Sequence, residues 1–407
     1  MKKIDLKYKN LNIPLLYEFD NSMPVVNFKL IFKASGSVAN GKFPGLANLV
    51  AKMLNEGTLK LGVSEFANLL ELKAVNLSIF SGFETFGFEI NTLKENFDYG
   101  LNLLINLLKD PNFTQKTLDK IKTLIKGEIA SNNTDFDYLS RTELNRLLYE
   151  NTSLEYPQIG TLESIDKIGL NEVKEFFDAL FLENLFIVLA GDIKENINLN
   201  ELLNCFKNGN KNNLPFIKTS DEQKLSFVKK QVEQAYIYFG APYNVKKDEI
   251  FKANVAIFIF GSSGFGSRLM EEIRVKRGLA YSIYARADFG LSSSKIWGYM
   301  QTKNESKDDA IEVIKSEFLK FVKDGVSQDE LNSAKNFLLG SVVLQKETMF
   351  GRINIKQKEF YMGEEFGELE RTLEKIKALN LDDLNKFIKA HDEILNLSFA
   401  VISNQEI

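Results

Sequence analysis

The chain repeats itself. "FTQKTLDKIKTLIKGEI", beginning at Phe113, lines up with "VSQDELNSAKNFLLGSV", beginning at Val326, an offset of 213 residues (326 − 113). Gln115 meets Gln328, Leu118 meets Leu331, Lys122 meets Lys335 and Gly127 meets Gly340. Each stretch opens on a hydroxyl residue, Thr114 or Ser327, suited to accept from the first free N–H groups of a helix. "TLESIDKIGLNEVKEFF" from Thr161 matches "TLEKIKALNLDDLNKFI" from Thr372 at an offset of 211, and "NLFIVLAG" from Asn184 matches "NLSFAVIS" from Asn396 at 212. Three matches in one order at nearly one offset imply one fold used twice. Between the copies lies "KNGNKNNLPFIKTSDE", polar and turn-rich. The expected organisation is therefore an N-terminal domain over residues 1–206, a linker over 207–222 and a homologous C-terminal domain over 223–407.

Each copy mixes strands and helices. In the first, "VVNFKLIFKASG", "NLSIFSG", "FETFGFEINTL" and "LFIVLAG" read as strands, and helices are expected near 44–55, 64–73, 95–109, 114–131, 137–149 and 170–180. In the second, strands are expected in "QAYIYFGAP", "AYSIYARAD" and "KIWGYMQT". Its helices are expected near 247–259, 266–276, 306–323, 327–345 and 380–390. This order predicts an α+β class, with two tandem domains. Each is a mainly antiparallel sheet with helices packed on one face.

Composition removes several functions. Lys and Arg total 51 against 55 Asp and Glu, a net charge of −4, which argues against a general nucleic-acid binder. The opening "MKKIDLKYKNLNIPLLYEF" is too interrupted by charge for a signal peptide, and no apolar run is long enough to span a bilayer, so the expected location is the cytoplasm, off the membrane. The single cysteine, Cys205, precludes an internal disulfide. The single histidine, His391, falls near a helix end, where a cation suits the helix dipole better than it suits catalysis.

The stretch "PGLANLVAKMLNEGT", residues 44–58, carries the most information about chemistry. Leu46, Leu49, Val50, Met53 and Leu54 recur at helical spacing and face a core, which leaves Asn48, Ala51 and Lys52 on the other side. With its flanks, "GSVANGKFPGLANLVAKMLNEGT" resembles the start of the pitrilysin/insulinase family of inverted-motif zinc peptidases, in the branch of the mitochondrial processing peptidases. "PGLA", "ML" and "GT" stand where that family has them, and the resemblance covers the whole duplicated chain.

The resemblance implies H-x-x-E-H on this helix: two histidines four apart sharing a zinc ion, with the glutamate as base toward bound water. Here the three places read Asn48, Ala51 and Lys52. Ala51 cannot take a proton, and a lysine ammonium disfavours a metal beside it. The family's third ligand, a glutamate on a later helix, matches Glu128, while its supporting acid falls at Ile121. The expectation is a retired metal site with no cofactor in this chain, and an ordinary solvated or lysine-paired Glu128.

The second copy keeps its half of the machinery. "GSSGFGSRLMEEIRVKRGLAYSIYARAD", from Gly261, fits no phosphate-loop spacing and reads as a glycine-rich turn entering a helix. In active relatives an arginine and a tyrosine seven residues later reach the catalytic chamber, and "SRL", "EIR" and "KRGLAYS" place them at Arg274 and Tyr281. A guanidinium fork and a phenol could together hold a peptide carbonyl as it becomes an oxyanion. The family also binds extended substrates along a sheet edge, which falls at Asn76, Leu77, Ser78, Ile79 and Phe80.

The resemblance thus implies a subunit without its own zinc. It would act on peptide or unfolded polypeptide as half of a heterodimer whose partner brings the zinc, with Arg274 and Tyr281 acting in trans. A homodimer stays open as the assembly. A peptide-binding or scaffold protein of the same fold is the alternative, and an active peptidase with unusual ligands is a third reading. Whether the chain counts as an enzyme depends on the partner.

Overall fold

The computed structural model describes residues 1–405. The first sequence half supplies strands β1 (Lys2–Tyr8), β2 (Leu11–Phe19), β3 (Val25–Lys33), β4 (Asn76–Ser81), β5 (Thr85–Leu93) and β6 (Leu185–Gly191). Its helices are α1 (Leu46–Leu54), α2 (Gly62–Glu71), α3 (Phe97–Lys109), α4 (Gln115–Asn132), α5 (Phe136–Leu148), α6 (Leu162–Lys167), α7 (Leu170–Asp178) and the short α8 (Asn200–Leu203). The second half supplies β7 (Leu225–Lys229), β8 (Gln234–Pro242), β9 (Ala280–Phe289), β10 (Ser294–Lys303) and β11 (Ser398–Ser403). Its helices are α9 (Ile250–Ile257), α10 (Lys307–Asp324), α11 (Gln328–Glu347), α12 (Met349–Tyr361), α13 (Glu368–Ala378) and α14 (Leu381–Ala390). The class is α+β.

Among the described residues the strands form two sheets, ordered β1-β2-β6-β3-β5-β4 and β7-β11-β8-β10-β9. All pairings are antiparallel except β2 with β6 and β7 with β11. The orders superimpose, β2 on β7, β6 on β11, β3 on β8, β5 on β10 and β4 on β9, so the repeat read from sequence is a repeat of topology. The caps repeat as well. The Thr117 N–H donates to Thr114 Oγ1 at 3.2 Å, and the Glu330 N–H donates to Ser327 Oγ at 3.3 Å.

The compact units are not two contiguous halves. One comprises residues 1–131, 156–215 and 346–361; the other comprises 132–155, 216–345 and 362–407. Each sequence half thus gives one helix to the other unit, α5 in one direction and α12 in the other. The reason lies in the central strands. Every residue of β6 and of β11 is buried. In the first unit one face of the sheet, with Phe28, Leu30, Ile187 and Leu189, joins a core with α1, α3, α4 and α7. The opposite face carries Leu16, Ile31, Phe186 and Val188, equally buried. α12 covers it, setting Phe360 on Phe186 with ring centroids 5.0 Å apart. In the second unit α5 lies on β8 and β11, burying Leu144 and Leu148 over Gly240, where a Cβ would sit 3.0 Å from Leu148.

Polar locks hold both exchanged helices. Arg352 of α12 donates to Glu18 at 2.6 Å and also to Asp20. On α5, Asp137 accepts from the Tyr238 hydroxyl at 3.0 Å and Asn145 accepts from Lys295 at 2.7 Å.

Several elements differ from expectation. β1, β2, β7, α6, α8, α12 and α13 are regular where no element was expected. The helix expected over 266–276 is a 3-10 turn at Gly264–Gly266 followed by a π-helical turn at Met270–Val275. The stretch 207–222 carries no regular element, yet Thr219 within it is buried, its hydroxyl donating to the Ser294 carbonyl at 2.6 Å.

A lysine lies under each exchanged helix. Lys33 donates to the last carbonyls of α12, Phe360 and Tyr361, at 3.4 Å each and sits over the rings of Phe186, Phe360 and Tyr361. Burial, with repulsion from Lys211, lowers its pKa to about 8, and burial lowers that of Lys295 to about 8. A lysine with a lowered folded pKa binds fewer protons folded than unfolded between that value and its ordinary 10.5, so stability rises with pH across that window. Tyr238, Tyr243, Tyr299 and Tyr361 act in the opposite sense: burial raises their pKa above 10.0, so stability falls once unfolded tyrosines ionise. Urea unfolding at a series of pH values is expected to show stability rising from about pH 8 to a maximum near pH 10. Lys33→Met and Lys295→Met should each flatten the rise, and an unchanged slope in both would refute the assignment.

Candidate functional site

α1 is almost wholly buried. Of its nine residues only Asn48 and Lys52 keep any substantial exposure. Its entry needs glycine, since Gly45 has φ +92 and a Cβ there would lie 2.7 Å from the Ile159 carbonyl oxygen. Asn48 and Lys52 are four apart, so they share one face as a single polar stripe. Ala51, expected beside them, is instead buried at 4 % exposure, because the helix is packed on more than one side.

The Lys52 ammonium lies 3.0 Å from Glu128 Oε2 on α4. The two sequence-predicted positions are thus brought together as an ion pair. The side chains are 34 % and 48 % exposed, so the pair is solvent-screened and worth at most about 1 kcal/mol. The Asn48 side-chain nitrogen is buried without a hydrogen-bond partner. Ile121, at the place of the family's supporting acid, is a core residue. A zinc site needs three or four nitrogen, sulfur or carboxylate ligands. This one offers a single carboxylate already neutralised by an ammonium, and among the described residues no three His, Cys, Asp or Glu side chains gather as a metal would require. The residues present do not fit zinc.

β4 is an edge strand, paired only with β5 among the described residues, and α1 packs against it. Ile79 points into the core and Leu77 packs against it, while Asn76 and Ser78 face solvent. Phe80 lies across Gly87 of β5, so close that a Cβ there would be 2.3 Å from its ring. The five predicted residues therefore line a sheet edge whose outer backbone groups face no neighbouring strand.

The second unit holds the other candidate site. Arg274 leaves the π-helical turn Met270–Val275, and Tyr281 stands near the start of β9, the edge strand of its sheet and the counterpart of β4. In the turn the Lys276 N–H reaches the Glu271 carbonyl at 3.0 Å, the i to i+5 bond that widens a helix. The Arg274 guanidinium lies over the Tyr281 ring at 4.4 Å and over the Phe265 ring at 4.5 Å. Tyr281 is 81 % exposed and Phe265 70 %. Sequence reading paired Arg274 with Tyr281 but missed Phe265. Its one signal was an aromatic residue between two glycines in a turn otherwise read as a connector.

The remaining chemistry-bearing residues are structural. His391 caps α14, with Nδ1 2.9 Å from the Phe387 carbonyl, and Cys205 is half-buried. Among the described residues no helix is long and apolar enough to cross a membrane.

Comparison with known proteins fits this geometry. The model for insulinase (peptidase family M16) matches residues 16–162, and that for the peptidase M16 inactive domain matches residues 167–338. A Helicobacter pylori protein named non-peptidase homolog YmxG is 40 % identical over 400 residues, covering 97 % of this chain and 92 % of its own length. A Rickettsia felis protein named as an uncharacterized zinc protease is 24 % identical, covering 94 % and 92 %. The peptidase M16 inactive domain structure from Pseudomonas fluorescens shares the fold with a TM-score of 0.86 at 21 % identity, covering 97 % of this chain and 96 % of its own. A chain of complex III2 from Candida albicans shares it with a TM-score of 0.77 at 16 % identity, covering 99 % and 96 %.

The ion pair makes a direct prediction. Dialysed wild-type protein should carry no stoichiometric zinc by metal analysis, and Lys52→Ala should cost no more than about 1 kcal/mol in unfolding. Asn48→His with Lys52→His places two imidazoles on the stripe above Glu128 and should create measurable zinc affinity. One tightly held zinc in the wild type, lost on Glu128→Gln, is the result that would overturn this reading.

Proposed function

The chain belongs to peptidase family M16, the insulinase family, and from that membership we propose that it is a member without peptidase activity of its own that assists a zinc-bearing member in peptide hydrolysis. The observation that carries the proposal is the contrast between the two sites. At the first, an ammonium neutralises the carboxylate that a metal would need, and the base position holds a buried alanine. At the second, a half-buried arginine lies on the ring of an exposed tyrosine, and among the described residues no carboxylate pairs with Arg274. The 40 %-identical relative named as a non-peptidase homolog supports the inactive half of the reading.

In this proposal the partner supplies the metal and the bound water. This chain's residues bind and orient. Arg274 offers in-plane N–H donors and permanent charge to the oxygen of a peptide carbonyl, and Tyr281 offers a neutral hydroxyl beside it. Both stabilise negative charge that develops on that oxygen, without giving up a proton.

The open edge of β4 favours a second reading. A backbone edge beside a helix without catalytic groups can take up an extended peptide by strand addition and leave it uncut.

One experiment separates them. The chain is co-purified with, or reconstituted with, a family member carrying an intact H-x-x-E-H, assembly is checked by sizing, and peptide cleavage is measured. Arg274→Ala and Tyr281→Phe should leave the pair assembled and slow cleavage, by about 10²–10³ where an oxyanion donor is lost. Full activity in assembled Arg274→Ala pairs would sink the in-trans role and leave the β4 reading. Protection of residues 76–81 from hydrogen exchange by added unfolded peptide would then support that reading directly.

A further inference from the structure

Among the described residues, five of the chain's eight arginines pair with a carboxylate: Arg146, Arg268, Arg277, Arg352 and Arg371. Arg274 is held differently, by ring faces from two separate elements. One ring, Tyr281, comes from the edge strand β9. The other, Phe265, comes from the 3-10 turn Gly264–Gly266, which Gly264 enters at φ +69. That left-handed conformation suits glycine, and it turns the chain so that the next residue projects outward. A phenylalanine left 70 % exposed gains little from burial. Its use here is as a flat surface. A guanidinium resting on rings keeps its five N–H donors in its own plane, where they are not consumed by the stacking.

We propose that Phe265 is a positioning residue, which together with Tyr281 fixes the plane of the Arg274 guanidinium so that its unpaired N–H edge is presented to a peptide carbonyl oxygen. The function of that edge rests on the reading of Arg274 given above; the clamp itself does not. Without Phe265 the arginine keeps its charge but gains rotamers, and ordering them is then charged against each binding event.

The clamp is testable in the isolated chain. The Arg274 Nε–H signal in ¹⁵N-edited NMR, assigned by its loss in Arg274→Lys, should carry a ring-current shift. Phe265→Ala should move it toward the value of a free arginine, Phe265→Leu should do the same while keeping bulk, and Phe265→Trp should restore it. Thermal unfolding should be unchanged in all three, because the side chain lies on an exposed turn. In the reconstituted pair, Phe265→Ala should lower cleavage about two- to fivefold, the worth of one exposed cation–π contact, with Phe265→Trp rescuing. An Arg274 signal unmoved by Phe265→Ala overturns the clamp, even where Arg274 itself proves important. A moved signal with cleavage indifferent to Arg274→Ala keeps the clamp and removes its proposed use.

Discussion

Two strands that are buried on both faces govern this molecule. β6 and β11 run down the middle of their sheets, and neither has a side that tolerates water. Helices following in sequence cover one side. The other side must be covered too, and each unit does so with a helix from the other half of the chain, α12 on β6 and α5 on β11. Neither half of the sequence therefore makes a finished sheet by itself. The duplication is complete at the level of topology, but each copy needs a helix from the other to close.

This requirement explains what could and could not be read from sequence. The long helices, the central strands and their recurrence at offsets of 211 to 213 follow from periodicity and caps. The exchange does not. "FDYLSRTELNRLL" is amphipathic, and amphipathicity says that a helix must lie on something, not on what. β1 was legible but passed over: in "KKIDLKY" Ile4, Leu6 and Tyr8 alternate with charged residues at the period of a half-buried edge strand, and they pack against the core. α12 was missed because "MFGRINIKQKEFY" breaks its apolar stripe with charges, and one of them, Arg352, docks the helix on Glu18 and Asp20.

The candidate sites divide along the same line. Position on a helix was legible: Asn48 and Lys52 had to share a face, and the flanks identified the helix. The Lys52–Glu128 pair needed α1 and α4 to be adjacent, which no local pattern states. The burial of Ala51 shows the limit of a two-sided picture of a helix. Seven of nine residues face the interior, so the polar stripe is as narrow as two side chains. A metal site built there would need both of them.

The substitution at that stripe has a simple electrostatic reading. A carboxylate such as Glu128 prefers a cation close by. A metal ion supplies one only when other ligands help to hold it, and here the two ligand places hold the amide of Asn48 and the ammonium of Lys52 itself. Lys52 supplies one through the covalent chain, at no cost in ligands and independent of metal supply. In the second unit the balance is reversed. Arg274 is a cation whose partners are rings rather than acids. Rings stabilise its charge from the faces and leave the edge open, whereas a carboxylate would have taken the edge first. One unit has its charge internally matched, and the other has its charge held in place and left unmatched. An unmatched, oriented cation beside an edge strand is what a binding partner with a polarisable oxygen would find useful.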